Sequence, residues 1–523
     1  MKMKKIINGI NLIVVFCLMV AAAIVLAVSS VTTIYYEMHS DNDQPLYGSE
    51  NIPLLALFVV GVLLVFFLIY RIGLFKISRL FAVAGILFVT AYCLMLILAI
   101  HPQAVNDSKT LDDIINSFAA GDYSSLTQPG GYLFIWPFQL GYVAFGQLMV
   151  SLFGQSNYFA WDLLQLICIQ VTMVLIYLIT REIFEDEKVA GMAMLMSFGA
   201  LFFYNYVTYI YGDIISMLPQ TLALYLMVRF VKTDRAIYGA ASAICTAAAI
   251  VIKTNCEIAL IALLMILLGS AWDGHGQESG NSGKESAFAP RLVKRIILAA
   301  LFLAFTFGAK TGVDAYFCDL TGLDKIPDGN PAWAHIAMGL QESELEDGWF
   351  NGYNYRVFEE NNYDTEATAA AARENISNTL SGFAADPGAG VRFFLRKFTT
   401  QWADPVCVST HNLDLVSRHV ENQPQLCDFL VFGKGSRMMQ WVMNVFMTVC
   451  YLGVFVCMIH FLRKKELSSS RMLLLILIFG GICFHEFWEG SSRYAMRYYI
   501  YWLPYAACGL EVIFGYICKH KKR

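Results

Sequence analysis

Apolar runs of about 20 residues, each long enough to cross a bilayer core, alternate with short polar breaks along the whole chain. They fall at 10–35, 53–70, 80–100, 158–180, 189–210, 214–231, 236–252, 257–272, 296–312, 438–461, 471–487 and 499–518. The pattern predicts an all-α polytopic membrane protein with about 12 transmembrane helices. One more apolar stretch, 131–154, is interrupted by Pro137, Gln139, Gly141, Gly146 and Gln147. Counted as a span it would put the later basic clusters on the wrong side, so a re-entrant or juxtamembrane helix is expected there. The first run follows MKMKK directly. It is too long for a signal-peptide core and no small-residue cleavage site follows it, so it reads as a retained span.

The polar breaks fix an orientation. Lys2, Lys4 and Lys5, then Arg71, Lys76 and Arg79, Arg181 and Lys188, Lys232 and Arg235, Arg463 to Lys465 and the terminal KHKKR recur at every second break. The positive-inside bias therefore places both termini in the cytoplasm of a multi-pass plasma (inner) membrane protein. Two polar segments fall on the other face. The expected organisation is an N-terminal transmembrane module, 1–312, with an outer loop at 101–132 and a Gly/Ser-rich cytoplasmic linker at 273–295. An extracytoplasmic, mostly helical loop domain follows at 313–437, and C-terminal transmembrane helices at 438–523. No internal repeat is evident, which speaks against the duplicated halves common among secondary transporters.

Composition sharpens the picture in two places. The net charge of −4 is partitioned between basic breaks and acidic outer segments, so bulk charge gives no ground for nucleic-acid binding. The thirteen cysteines lie mostly in apolar runs and none forms a CxxC pair or a Cys/His ligand spacing. A Cys407–Cys427 disulfide is open to formation if the outer face is oxidising.

The candidate chemistry centres on 101–132, where an apolar helix gives way to acidic and polar sequence containing Asp107, Asp112, Asp113 and Asp122. A carboxylate at that boundary can face both a lipid-borne group and a soluble acceptor, as a general base must. Asp112 and Asp113 read more simply as a solvated helix start. Asp213 follows a run of tyrosines ending in Tyr211, and either caps the helix from Ile214 or belongs to a site. Lys253, between two spans, and Arg493 and Arg497, on the face where arginine is disfavoured, are candidates for holding phosphate. His335 is read as structural or substrate-orienting. Trp349, Tyr353 and Trp402 are read as interface aromatics or sugar-stacking platforms.

The order of these phrases resembles the C-type (GT-C) glycosyltransferases that use polyprenyl-phosphate sugars, especially bacterial relatives of the protein O-mannosyltransferases. The likeness runs through Asp107 in a large outer loop, Tyr132 to Gln139, Leu152 to Gly154, Tyr211-Gly212-Asp213, Met338 to Leu340 with Asp347 to Asn351, and Arg493-Tyr494 before the last span. Family members commonly carry the acidic loop after their first span, whereas this chain has further spans ahead of it.

The resemblance implies an inverting transfer from a polyprenyl-phosphate sugar donor to a glycan, lipid or protein acceptor, with Asp107 as base. Arg493, Arg497 and Lys253 would take the donor phosphate. Asp213 and His335 would position the acceptor or a metal, and Tyr132, Tyr211, Trp349 and Tyr494 would contact sugar or lipid. No cofactor is fixed by the sequence; a divalent cation held by Asp107 and Asp213 is left open. Two other readings share the charge pattern: a flippase or transporter of lipid-linked saccharide, and an outer-face glycan polymerase or ligase. Sidedness favours the transferase over the transporter, because the unusual polar residues gather on one face rather than near the midplane.

Overall fold

A computed structural model describes residues 2–273, 284–419, 424–465 and 467–520. Among them are ten helices long and apolar enough to cross a membrane, and a bent pair, Glu187–Gly199 with Leu201–Thr208, which forms an eleventh if taken as one broken span. With the shorter apolar helix Ala236–Ile252, these are the segments the hydrophobic pattern marks out. Their outward faces remain apolar: Ile13 on the first helix, and Leu57, Val60 and Leu64 on the second, are all exposed. Such faces are stable only against lipid, and helices satisfy their own backbone groups there. The fold is therefore polytopic and almost wholly helical.

The first helix, α1 (Lys2–Ser29), ends earlier than the apolar run suggests. Thr32–Tyr36 (β1) instead pairs antiparallel with Pro45–Ser49 (β2), with Ile34 opposite Tyr47. TTIYY is β-branched and aromatic, and it prefers a strand once the chain has left the helix. Helices α2 (Ile52–Arg71) and α3 (Ser78–Ile100) follow. α2 opens with Pro53 inside its first turn and with Asn51 accepting from the Leu54 N–H at 3.2 Å.

Next come α4 (Asn106–Ala119), α5 (Leu140–Phe153) and α6 (Tyr158–Phe184), then α7 (Gly212–Thr233), α8 (Ala236–Ile252) and α9 (Glu257–Gly269). The 131–154 stretch is broken into short pieces, Tyr132–Ile135 and Pro137–Gln139, before α5. α5 lies so close to the end of α8 that a Cβ at Gly141 would overlap the Val251 carbonyl. A glycine is required there, and it brings the stretch up against Lys253.

The linker expected at 273–295 differs in part. Residues 274–283 lie outside the described residues, while from Lys284 onward the chain is already helix α10 (Lys284–Thr321). α10 also continues past 312, so the polar segment begins as an extension of a membrane helix. Four helices then follow: α11 (Ala332–Gly339), α12 (Tyr353–Glu360), α13 (Thr365–Ala385) and α14 (Pro387–Trp402). Asp364 and Asp386 cap the last two, accepting from Ala367 and Ala389 N–H groups at 2.8 and 3.0 Å. The chain closes with α15 (Lys434–Lys464), α16 (Ser469–Phe487), α17 (Ser492–Tyr499) and α18 (Leu503–His520). α15 and α18 cross through Gly453 and Gly509, each of whose missing side chains makes room for the other helix's backbone. No disulfide joins Cys407 and Cys427; both are buried thiols.

Two charged clusters mark the ends of the bundle. Lys232 closes α7 and bonds Glu182 and Glu185 at 3.1 and 2.7 Å, beside Arg229–Glu182 at 2.8 Å and the pairing of Asp234 with Lys294 and Arg295. Asp213 opens the same helix, about 30 Å away by helix rise. The residues marked out for chemistry collect at that second end.

Candidate functional site

The loop after α3 bends through left-handed backbone at His101 and Asn106, φ 47° and 50°, which histidine and asparagine tolerate better than branched residues. The turn sets Asp107 in the first turn of α4, exposed and without a hydrogen-bond partner among the described residues. Its neighbour Asp112 departs from the solvated role expected of it. It is buried and accepts from Ser156 Oγ and Tyr158 OH, both at 2.8 Å, fastening α4 to the start of α6. Asp113 is exposed and pairs with Lys109.

Asp107 faces a wall of tyrosines. Burial first, and then its negative charge, push the Tyr132 phenol above its ordinary range. Tyr209 and Tyr211 are raised by burial and feel the same carboxylate. The Tyr211 hydroxyl accepts from Gln139 Nε2 at 2.6 Å. The broken 131–154 stretch thus delivers two side chains to this wall.

Behind the tyrosines lies a buried cationic group. Lys253 sits in the break between α8 and α9, its Nζ 3.9 Å from the Tyr211 ring centroid and 3.4 Å from Asp213 Oδ2. Asp213 is 3% exposed and does not cap its helix; Tyr211 holds the N-cap position, without a side-chain bond. An ion pair this buried persists only because further charges surround it. Arg493 supplies one. Its guanidinium lies 5.8 Å from the Tyr211 ring and donates to Tyr209 OH and Tyr494 OH, each at 3.2 Å. Arg497, one turn further along α17, donates from one nitrogen to Ser216, Gln220 and Cys256; among the described residues its Nε and remaining terminal nitrogen find no partner.

Two further residues join this group, neither with a role in the sequence reading. Glu489, in the short loop between α16 and α17, accepts from Tyr494 OH at 3.0 Å, and burial pushes its carboxyl up against the opposing pull of Arg493. Tyr209 takes a bond from Arg493. The signals were a glutamate four positions ahead of Arg493, in the loop before α17, and one tyrosine among several before Asp213. The loop bearing Glu489 is pinned from outside by Lys397 of α14, whose fully buried ammonium donates to the carbonyls of Gly339, Trp488 and Glu486 at 2.5, 2.7 and 3.1 Å. A lysine in an amphipathic helix gives no such signal in the sequence.

The structure thus brings together Asp107, Tyr132, Tyr211, Asp213, Lys253, Arg493 and Tyr494, with Arg497 adjoining. His335 and Trp349 stand in the wall beside it. His335 stacks on Trp488 with ring centroids 4.7 Å apart, touches Trp136, and meets Asn354 Nδ2 at 3.3 Å; burial drops its imidazole to about 4. Trp349 is 1% exposed and bridges Gly490 through its backbone. Among the described residues no group of three or more His, Cys, Asp or Glu side chains is arranged to hold a metal ion. Asp213 is already taken by Lys253. Of the two carboxylates the sequence reading offers to a divalent cation, Asp213 is therefore committed to an ion pair.

Chemically, an exposed carboxylate and buried cations both act on the charge of the same tyrosines, Tyr132, Tyr209 and Tyr211. Such an arrangement can accept a proton on one side and neutralise a departing anion on the other.

Residues 140–279 match the protein family described as dolichyl-phosphate-mannose-protein mannosyltransferase. The match carries the resemblance read from the sequence across the stretch that holds Tyr211, Asp213 and Lys253. Among solved structures, the chain is similar to the archaeal oligosaccharyltransferase AglB from Archaeoglobus fulgidus, determined with an inhibitory peptide and a dolichol-phosphate. The identity is 15% and the TM-score 0.42, with 84% of this chain and 51% of that one covered. The apo form of the Archaeoglobus fulgidus oligosaccharyltransferase gives 14%, 0.40, 84% and 51%. The chain spans about half the length of these structures. No curated protein matches the sequence.

Proposed function

We propose that this protein is a membrane glycosyltransferase that moves a sugar from a polyprenyl-phosphate carrier to an acceptor hydroxyl on the extracytoplasmic face, with inversion. The observation that carries the reading is the opposition of Asp107 to the Arg493 and Lys253 cations across Tyr132, Tyr209 and Tyr211. The family match over 140–279 agrees with it.

In this reaction Asp107 takes the proton of the acceptor hydroxyl as that oxygen attacks the anomeric carbon. The bond between the anomeric carbon and the phosphate oxygen breaks, its electron pair leaves with the polyprenyl phosphate, and the leaving group gains one negative charge. Arg493 and Lys253 meet that charge, and the planar guanidinium suits phosphate geometry. Asp213 holds the Lys253 ammonium in place while the phosphate is absent, and Glu489 orients Arg493 through Tyr494. Trp136, Trp488 and His335 wall the site and contribute no proton near neutral pH, since the His335 imidazole is neutral there.

The test is transfer by the purified protein in detergent, given labelled polyprenyl-phosphate sugars and a crude envelope acceptor fraction. Asp107→Asn keeps the shape, removes the base and lies on an exposed position, so insertion and melting temperature should be unchanged while turnover falls about 100-fold or more. Activity close to wild type moves the base elsewhere. Absence of transfer with every donor, together with labelled lipid crossing proteoliposome membranes, replaces the transferase with a flippase.

A further inference from the structure

The loop that turns the β1–β2 hairpin, 37–44, is fastened on both sides of one carboxylate that is itself left uncommitted. Ahead of it, the His39 N–H donates to Asp414 Oδ2 at 2.6 Å, the Ser40 carbonyl is held by Arg418, and Asp41 pairs with the same guanidinium at 2.7 Å. Behind it, Gln44 Nε2 donates to the Glu344 carbonyl at 3.1 Å. Between them stands Asp43, half-buried, and among the described residues it has neither a hydrogen bond nor an ion pair. We propose that Asp43 is a specificity residue of the site, its carboxylate accepting hydrogen bonds from adjacent hydroxyls of the sugar on the lipid carrier. The proposal deepens the transferase reading and rests on it for calling that sugar the transferred one, though not for the binding itself.

The hairpin reaches the site through its own contacts. Tyr36, which closes β1, bonds Asp404 at 2.8 Å and Ser492 Oγ at 3.1 Å, and Ser492 is the chain neighbour of Arg493. Tyr206 OH donates at 2.7 Å to the Cys407 carbonyl, in the segment that Asp404 opens. The Tyr206 ring lies 6.1 Å from that of Tyr209, which lies 6.2 Å from that of Tyr211. A row of tyrosines therefore runs from the Asp107 side of the site to the hairpin side. The charges follow the same order. The Asp107 carboxylate acts on Tyr132 and Tyr211, the Asp43 carboxylate acts on Tyr36 and His411, and both act on Tyr209 and Glu489. Arg493 bonds Tyr209 and reaches Glu489 through Tyr494, so a phosphate held by Arg493 has one carboxylate on either side.

The two carboxylates differ in what they can do. Asp107 is exposed and open to an acceptor arriving from water, whereas Asp43 is half-buried in a loop that its neighbours hold still. An ionised carboxylate has acceptors only, so its complement is a pair of donors, and adjacent sugar hydroxyls present two O–H groups to its two oxygens. A lipid phosphate diester offers none and is repelled. A site built to bond hydroxyls rejects a ligand that lacks them, and a loop already fastened loses little freedom in doing so.

The experiment is binding to the full chain in detergent, read as displacement of a fluorescent polyprenyl phosphate. The competitors are the mannosyl, glucosyl and arabinosyl esters of polyprenyl phosphate and, as reference, polyprenyl methyl phosphate, which has the same charge and no sugar. The wild type should bind at least one glycosyl ester about tenfold or more tighter than the methyl ester. Asp43→Ala should lose that gain with the affinity for the methyl ester unchanged. Asp43→Asn keeps the shape, leaves one acceptor and should lose part of the gain, so the test stands even where the alanine variant fails to fold. No gain for any sugar in the wild type, a gain kept in full in either variant, or equal weakening of glycosyl and methyl esters each overturns the proposal. Because no acceptor is present, the two readings separate. A sugar gain lost in the variants of a protein that transfers nothing leaves Asp43 standing and removes the transferase, whereas transfer with the gain intact in the variants removes Asp43 alone.

Discussion

At the scale of single residues, the site is a problem in keeping charge where burial penalises it. Lys253 and Asp213 are 9% and 3% exposed and 3.4 Å apart. Removing either partner would strand the other, which is why neither is a clean probe of phosphate binding. Arg493 is better suited, because its contacts are to hydroxyls that water can replace. Arg493→Lys keeps the charge and loses the fork. The expected outcome is an apparent KM for the lipid-phosphate donor raised about tenfold with the acceptor KM little changed, measured by varying each substrate in turn. A donor KM equal to wild type would remove Arg493 from the phosphate site. Asp107, Asp213 and Arg493 were legible in the sequence because ionisable residues at span ends are rare enough to stand out. Glu489, Tyr209 and Lys397 were not assigned, because what distinguishes each is a partner far away in the chain.

At the scale of elements, short pieces do the positioning. The broken stretch before α5, the 486–490 loop and α11 meet through Trp136, Trp488 and His335. That contact has a pH dependence whose sign follows from burial. The folded imidazole is lowered to about 4, while in the unfolded chain it returns to about 6.5. Between those values the unfolded state binds a proton that the folded state does not, so stability is lost as pH falls through the window, by about 2 kcal/mol at pH 5. His335→Asn lacks the titration, and the drop in its melting temperature from pH 7 to pH 5 should be smaller than that of wild type. Equal drops would mean that the imidazole protonates in place. The hairpin of β1 and β2 belongs to this scale too. The apolar run hid it, because hydrophobicity does not report where a helix yields to a strand. Only the β-branched and aromatic choice of residues does, and only once Tyr36 finds Asp404 at 2.8 Å.

At the scale of the whole molecule, an even number of crossings would return both termini to one side, with the Asp107 cluster on the other. A fluorescent protein fused after residue 523 should therefore fold and fluoresce in the cytoplasm, and alkaline phosphatase inserted in the exposed loop at Asn362 should be active. The opposite pattern would reverse the orientation and set the site on the cytoplasmic face. By itself the sequence determined the membrane class, the position of nearly every span and the polar residues worth suspecting. Each of these follows from local composition against a solvent of fixed thickness. Only the tertiary structure decided that Lys253 lies on Tyr211 and that Glu489 reaches Arg493 through Tyr494. Those are contacts between separate elements, set by how helices of similar apolarity pack. Hydrophobic patterning is nearly blind to that choice, because in lipid one apolar face fits a neighbour almost as well as another until small residues and buried polar bonds select among them.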